Sequence, residues 1–205
     1  MHSLSEKLRK YLIMGSQDCE RDPEQILREA IDAGITAFQY REKGPDALTG
    51  AERLKLGVRL REVCKERDIP FIVNDDVELA SDLEADGIHV GQEDLPVEIV
   101  RERFPDKIIG LSVSSMKEVR NSRLDLVDYV GAGPIYTTPT KPNQESTGYH
   151  WLEEIHAFAP NVSIVAIGGI KPNNAEVVLD AGADGLAVVT AVTQAKNIED
   201  IVRQL

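Results

Sequence analysis

Residues 70–94 read PFIVNDDVELASDLEADGIHVGQED, and the order of elements within them decides the fold. An apolar run, Pro70 to Asn74, reads as a strand that ends on Asn74 and Asp75. Asp76, placed before Val77 and Glu78, can cap the helical stretch that follows. Ala85, Asp86 and Gly87 then join that helix to a second apolar run, Gly87 to Gly91, with Asp94 just beyond Gln92 and Glu93. Strand, helix and strand in this order make a parallel unit with a crossover helix.

The same order extends in both directions. Further strand-like runs lie at Tyr11 to Gly15, Ala37 to Arg41, Ile108 to Val113, Tyr129 to Ile135, Ser163 to Ile167 and Gly185 to Val189, which brings the total to eight. Between them, apolar residues recur at helical spacing, as in Ile26, Ala30 and Ile31 or Leu54, Leu56, Leu60 and Val63. Asp22 before Pro23 marks a helix start, and Gly34 after Ile31 marks a stop. Ala-Asp-Gly recurs at 183–185, again between a helix and a strand, as equivalent units would require. Eight such units can close on themselves without a free edge. The expected fold is therefore α/β, a (β/α)8 TIM barrel spanning residues 1–205 as a single domain, with an open doubly wound sheet as the alternative.

Composition narrows the partners. The 205 residues are 42% hydrophobic, enough for a sizeable core, and no linker-like segment divides them. A net charge of −12 argues against nucleic acid or an anionic membrane as partner. Cys19 and Cys64 lack metal-ligand spacing and the amino terminus does not resemble a signal segment, so a cytoplasmic location is expected. No apolar run approaches the roughly 20 residues of a spanning helix.

Against this acidic background the cations stand out. Gln39, Arg41 and Lys43 are two apart, so on a strand they share one face while Tyr40 and Glu42 point the other way. An amide and two cations facing a barrel mouth suit a phosphate-rich ligand. Asp75 and Asp94 follow neighbouring strands and can approach one Mg²⁺, which favours oxygen ligands. Thr138, Thr140 and Lys141, after the sixth strand, can clamp a phosphate and fold over a substrate. Gly168 and Gly169 after the seventh strand, with Val189 and Thr190 ending the eighth, occupy the positions where such barrels often bind phosphate. His89, between Ile88 and Val90, reads as a packing residue, and His150 and His156 as residues of a helix beside Trp151 and Phe158. Neither a Ser-His-Asp grouping nor a zinc spacing is present.

Several stretches in one order then resemble the thiamine-phosphate synthase family over essentially the whole chain: GITAFQYREK at 34–43, FIVNDD at 71–76, DGIHVGQED at 86–94, GLS at 110–112, DYVGAGPIYTTPTK at 128–141, AIGGI at 166–170 and AGADGLAVVT at 181–190. The resemblance implies an eight-stranded barrel that joins a hydroxymethylpyrimidine diphosphate to a thiazole phosphate, releasing pyrophosphate. It implies that Gln39, Tyr40, Arg41, Glu42, Lys43, Asn74, Ser112 and Lys141 bind the pyrimidine diphosphate. Arg41, Lys43, Ser112 and Lys141 would act in the chemistry, and Asp75 and Asp94 would hold Mg²⁺. It further implies that Thr138, Pro139, Thr140, Gly169, Val189 and Thr190 surround the thiazole phosphate. Ser114 stands where the family commonly has histidine, and Thr190 where it has serine. A thiazole tautomerase-like isomerase and a non-catalytic phosphate-ligand sensor are the competing readings, and a homo-oligomer is left open.

Overall fold

Tyr11 and Ile13 face inward and Leu12 and Met14 outward along the first strand, β1 (Lys10–Met14), and that alternation places it in a barrel wall. The computed structural model describes residues 3–137 and 146–205. The other strands are β2 (Ala37–Tyr40), β3 (Phe71–Asn74), β4 (Gly87–Val90), β5 (Ile108–Val113), β6 (Tyr129–Ala132), β7 (Ser163–Ile167) and β8 (Gly185–Val188). They pair in parallel in sequence order, and β8 returns to β1 through Leu186 opposite Lys10, Ala187 opposite Tyr11 and Val188 opposite Leu12. The expected closed barrel is the one observed.

Several expected strands run one or more residues past the observed ends. Gly15, Arg41, Gly91, Gly133 and Val189 have left the ladder. These residues lie at the mouth, where Arg41 and Gly133 still donate their N–H groups to Met14 and Val113 of the neighbouring strands while the Gly91 N–H turns to the Asp94 carboxylate.

The helices are α1 (Leu4–Lys7), α2 (Pro23–Ala33), α3 (Gly50–Glu66), α4 (Val77–Asp82), α5 (Val97–Arg103), α6 (Met116–Asn121), α7 (Leu152–Phe158), α8 (Pro172–Asp180), α9 (Thr190–Thr193) and α10 (Ile198–Arg203). The α2 helix begins with Pro23 and stops at Gly34, whose φ of 116° is left-handed backbone that glycine adopts without strain. Its buried face, Ile26, Leu27, Ala30 and Ile31, packs outside the barrel. On α3 the buried stripe is Leu56, Leu60, Val63 and Cys64, whereas Leu54 falls off it and is exposed. His150 lies in the turn before α7, not on the helix, while His156 is on an exposed face of α7.

Aspartates and a threonine fasten the amino-terminal rim. Asp86, Asp128 and Asp184 each precede an even-numbered strand, and each accepts the N–H at the start of the strand before it. The donors are Phe71 at 2.9 Å, Ile109 at 2.8 Å and Ile164 at 2.8 Å. Thr36 serves β1 in the same way, accepting from the Lys10 N–H at 2.9 Å. The recurrent Ala-Asp-Gly join is therefore a clamp, set on the face where TIM barrels keep stabilising groups. Among the described residues no helix is long and apolar enough to cross a membrane.

Candidate active site at the barrel mouth

Above the apolar interior residues Ile72, Val165 and Ala187 the barrel opens into a cavity of about 960 Å³ at the carboxyl ends of the strands. Gln39, Arg41, Lys43, Asn74, Asp75 and Ser112 line one side. Gly169, Val189 and Thr190 line the other.

Gln39 is inward on β2 and only 1% exposed. Arg41 and Lys43 follow on the same face, as the spacing of two requires. The Arg41 backbone is held at both ends, its N–H donating to the Met14 carbonyl at 3.1 Å and its carbonyl accepting from Gln17 Nε2 at 2.9 Å. Its guanidinium has no hydrogen-bond partner among the described residues, so its donors remain available to a ligand. Lys43 Nζ donates to Asp75 Oδ2 at 2.5 Å.

Asp75 sits at φ 60°, an uncommon conformation for a residue with a Cβ, and its N–H donates to the His89 carbonyl at 2.8 Å. That kink swings its carboxylate off the end of β3 toward Asp94. Asp94 is fixed by the Gly91 N–H, which donates to Oδ2 at 2.7 Å. Burial raises the Asp75 carboxyl above its ordinary range, the Lys43 ammonium draws it partly back, and Asp94 adds to the rise. Asp94 moves down: burial opposes ionisation there, but its interaction with Asp75 and the hydrogen bond from the Gly91 N–H outweigh it. The two carboxylates thus lie close enough to act on each other, a place a hard cation could take. Among the described residues no larger cluster of His, Cys, Asp and Glu could hold a metal ion.

Two residues expected to bind substrate are corrected. Tyr40 points outward and its hydroxyl donates to the Arg53 carbonyl at 2.8 Å, so its role is to tie β2 to α3. The Glu42 carboxylate accepts from the Ser16 N–H at 2.6 Å, the Ser16 hydroxyl at 2.9 Å and the Leu48 N–H at 2.8 Å. It braces the loops after β1 and β2 and does not line the cavity. Both belong to the outward phase of the alternation, which Gln39 and Lys43 bracket. Thr138, Pro139, Thr140 and Lys141 lie outside the described residues.

On the opposite side, Gly168 and Gly169 have φ of 101° and 64°. A Cβ at Gly169 would come within 2.7 Å of Tyr136 Cβ, so close approach as well as backbone conformation demands glycine there. Val189 precedes α9 and Thr190 begins it. Ser114 is held by Glu118, which accepts from both its N–H, at 2.6 Å, and its hydroxyl.

His89 is the residue that sequence reasoning missed. It is 8% exposed, lines the cavity, and is hydrogen-bonded through Nδ1 to the Tyr129 hydroxyl at 2.9 Å and through Nε2 to Ser112 Oγ at 2.8 Å. Its inward phase, opposite to Ile88 and Val90, was the available signal.

A family model described as thiamine monophosphate synthase matches residues 10–192. A thiamine-phosphate synthase of Oceanobacillus iheyensis is 52% identical over 199 residues, covering 97% of each chain. One of Anoxybacillus flavithermus is 48% identical over 203 residues, 98% of this chain and 94% of that one. The solved thiamine phosphate pyrophosphorylase from Pyrococcus furiosus superposes with a TM-score of 0.88 at 34% identity, covering 99% of this chain and 96% of its own. A 2-keto-3-deoxy-6-phospho-gluconate aldolase from Zymomonas mobilis, at 16% identity and a TM-score of 0.68 over 98% of this chain and 94% of its own, shares the fold alone.

Proposed function

The chain belongs to the thiamine monophosphate synthase family of enzymes, and from that premise we propose that it joins 4-amino-2-methyl-5-hydroxymethylpyrimidine diphosphate to 4-methyl-5-(2-phosphoethyl)thiazole, or its carboxylated form, giving thiamine phosphate and pyrophosphate. One observation carries this reading. A single cavity has an amide, two cations and two carboxylates on one side and a glycine-lined phosphate-type pocket on the other.

The chemistry asks little of acids and bases. The thiazole nitrogen attacks with its own lone pair and has no proton to lose. Charge on the departing pyrophosphate must be met, and the free guanidinium of Arg41 and the ammonium of Lys43 are the cations that meet it. Lys141 is assigned the same work. The electron-rich aminopyrimidine supports positive charge on its methylene as the diphosphate leaves, which makes the substitution dissociative. Walls that hold the thiazole behind that carbon and keep water out supply the rest.

Asp75 and Asp94 are the residues for Mg²⁺. Their donor set supports this: two neighbouring carboxylates at the mouth offer hard oxygen ligands, and two are enough for a cation that keeps its waters and binds substrate phosphates. When bound, the ion neutralises the diphosphate leaving group.

The test is to incubate purified protein with both phosphorylated heterocycles, with and without Mg²⁺, and measure pyrophosphate and thiamine phosphate. Equimolar, Mg²⁺-dependent formation of both is expected. Binding with no pyrophosphate release would replace this reading with that of a sensor.

A further inference from the structure

Five side chains form a continuous hydrogen-bonded chain across the floor of the cavity, linking residues far apart in sequence. Gln39 Nε2 donates to the Tyr11 hydroxyl at 3.0 Å, and that hydroxyl lies 2.9 Å from the hydroxyl of Tyr129. The Tyr129 hydroxyl meets His89 Nδ1 at 2.9 Å, and His89 Nε2 meets Ser112 Oγ at 2.8 Å. Tyr11 and Tyr129 are essentially fully buried. Space for the rings is built in: a Cβ on Gly110 would fall 2.2 Å from Tyr129 Cζ and 2.4 Å from His89 Nδ1, and one on Gly131 would lie 3.0 Å from His89 Cε1.

The direction of donation along this chain is all or none. With Gln39 Nε2 donating to Tyr11, the Tyr11 proton has Tyr129 as its acceptor, the Tyr129 proton has His89 Nδ1, and His89 carries its own proton on Nε2, aimed at Ser112 Oγ. Reversing a link that involves a tyrosine alone strands a buried hydroxyl proton without an acceptor, and reversing the link to Ser112 alone leaves the imidazole without a ring proton, both of which interiors avoid. The ends are then defined. Gln39 and Ser112 both line the cavity: with Nε2 donating to Tyr11 the amide keeps Oε1 as an acceptor, and with Oγ accepting from His89 the Ser112 hydroxyl keeps its proton as a donor.

We propose that Tyr11, Tyr129 and His89 are positioning residues that couple these two ends, so that the site selects an aminopyrimidine over its oxo counterpart. An exocyclic amino group with an adjacent bare ring nitrogen offers a donor and an acceptor, complementary to Gln39 Oε1 and the Ser112 hydroxyl. The oxo analogue offers an acceptor and a ring N–H and mismatches both ends at once. To fit it, every link in the chain must reverse. The proposal rests on the reading of the pyrimidine end given above and adds the residues that enforce it.

The experiment compares kcat/KM for the amino and the 4-oxo pyrimidine diphosphates in the wild type, Tyr11→Phe, Tyr129→Phe and the double variant. Each single variant is expected to lower the amino-to-oxo preference on the order of 10-fold, the range for one buried hydrogen bond. The double variant should lose no more than the worse single one, because both hydroxyls act through one chain. Equal losses on both substrates, leaving the preference unchanged, would overturn the proposal and leave the tyrosines a packing role. ¹⁵N NMR of His89 in the unaltered protein provides a test that does not depend on the variants folding. A neutral ring protonated on Nε2 is expected, and a neutral ring protonated on Nδ1 would overturn the proposal. If the wild type forms no thiamine phosphate from the amino substrate, the functional reading fails instead, and the tautomer still reports on the chain.

Discussion

Asp86, Asp128 and Asp184 at one end of the barrel, and Asp75 and Asp94 at the other, are aspartates within a few residues of a strand, yet their surroundings are opposite. At the amino-terminal rim each carboxylate accepts a strand N–H, and Asp86 and Asp128 also pair with Arg61 and Arg101. At the carboxyl-terminal rim Asp75 and Asp94 are turned toward each other, and the only cation paired with them among the described residues is Lys43. The guanidinium of Arg41 nearby has no hydrogen-bonded partner among the described residues, with Asp18 the carboxylate that feels its charge. Charges satisfied by the fold stabilise it. Charges left unsatisfied at a concave mouth mark where a ligand completes the structure.

Substitutions at the two ends should therefore separate activity from stability. The largest expected effect is at the mouth: Arg41→Ala should lower kcat by about 10²- to 10³-fold, the range for losing one preorganised group that meets developing charge, with little change in Tm. Lys141→Ala is expected to lower it by on the order of 10²-fold on the same grounds. Near-normal turnover in either variant would remove that residue from the chemistry. Asp75→Asn comes next, with activity and the Mg²⁺ titration weakened together. An unchanged titration would take Asp75 off the ligand set.

Asp128→Ala reverses the pattern. It strands the Ile109 N–H and takes the carboxylate from Arg101 Nη2, although that guanidinium keeps its backbone carbonyl acceptors, so unfolding in denaturant should show a loss of about 2 kcal/mol, while turnover per folded molecule is kept. A fall in kcat with unchanged stability would break the division between the rims. The smallest effect is expected from Tyr40→Phe, which gives up a single hydrogen bond to the Arg53 carbonyl, about 1 kcal/mol of stability, and leaves KM for both substrates alone.

The barrel was legible in the sequence because its strands are short apolar runs separated by joins such as Ala85 to Gly87, and because the mouth residues follow those runs directly. Gln39, Arg41 and Lys43 were legible as one face through their spacing of two. The same alternation excludes Tyr40 and Glu42, although a matching stretch of ten residues sweeps them in. The purpose of Asp86 and Asp184 could not be read, since the N–H each accepts belongs to another strand. His89 looked like a packed strand residue because an imidazole between isoleucine and valine reads the same whether its inward side meets apolar rings or a polar cavity. Its link to Tyr129 and on to Tyr11 joins residues 118 positions apart, a pairing that only the closed barrel creates.

The claim on which the account depends is that both ligands share one mouth, with the diphosphate at the cations and carboxylates. The most direct measurement is a crystal structure with the pyrimidine diphosphate and Mg²⁺ bound. The account predicts the diphosphate against Arg41 and Lys43, with the metal on Asp75 and Asp94 and the ring at Gln39 and Ser112. A diphosphate seated at Gly169 and Thr190, with Asp75 and Asp94 binding neither metal nor ligand, would contradict it.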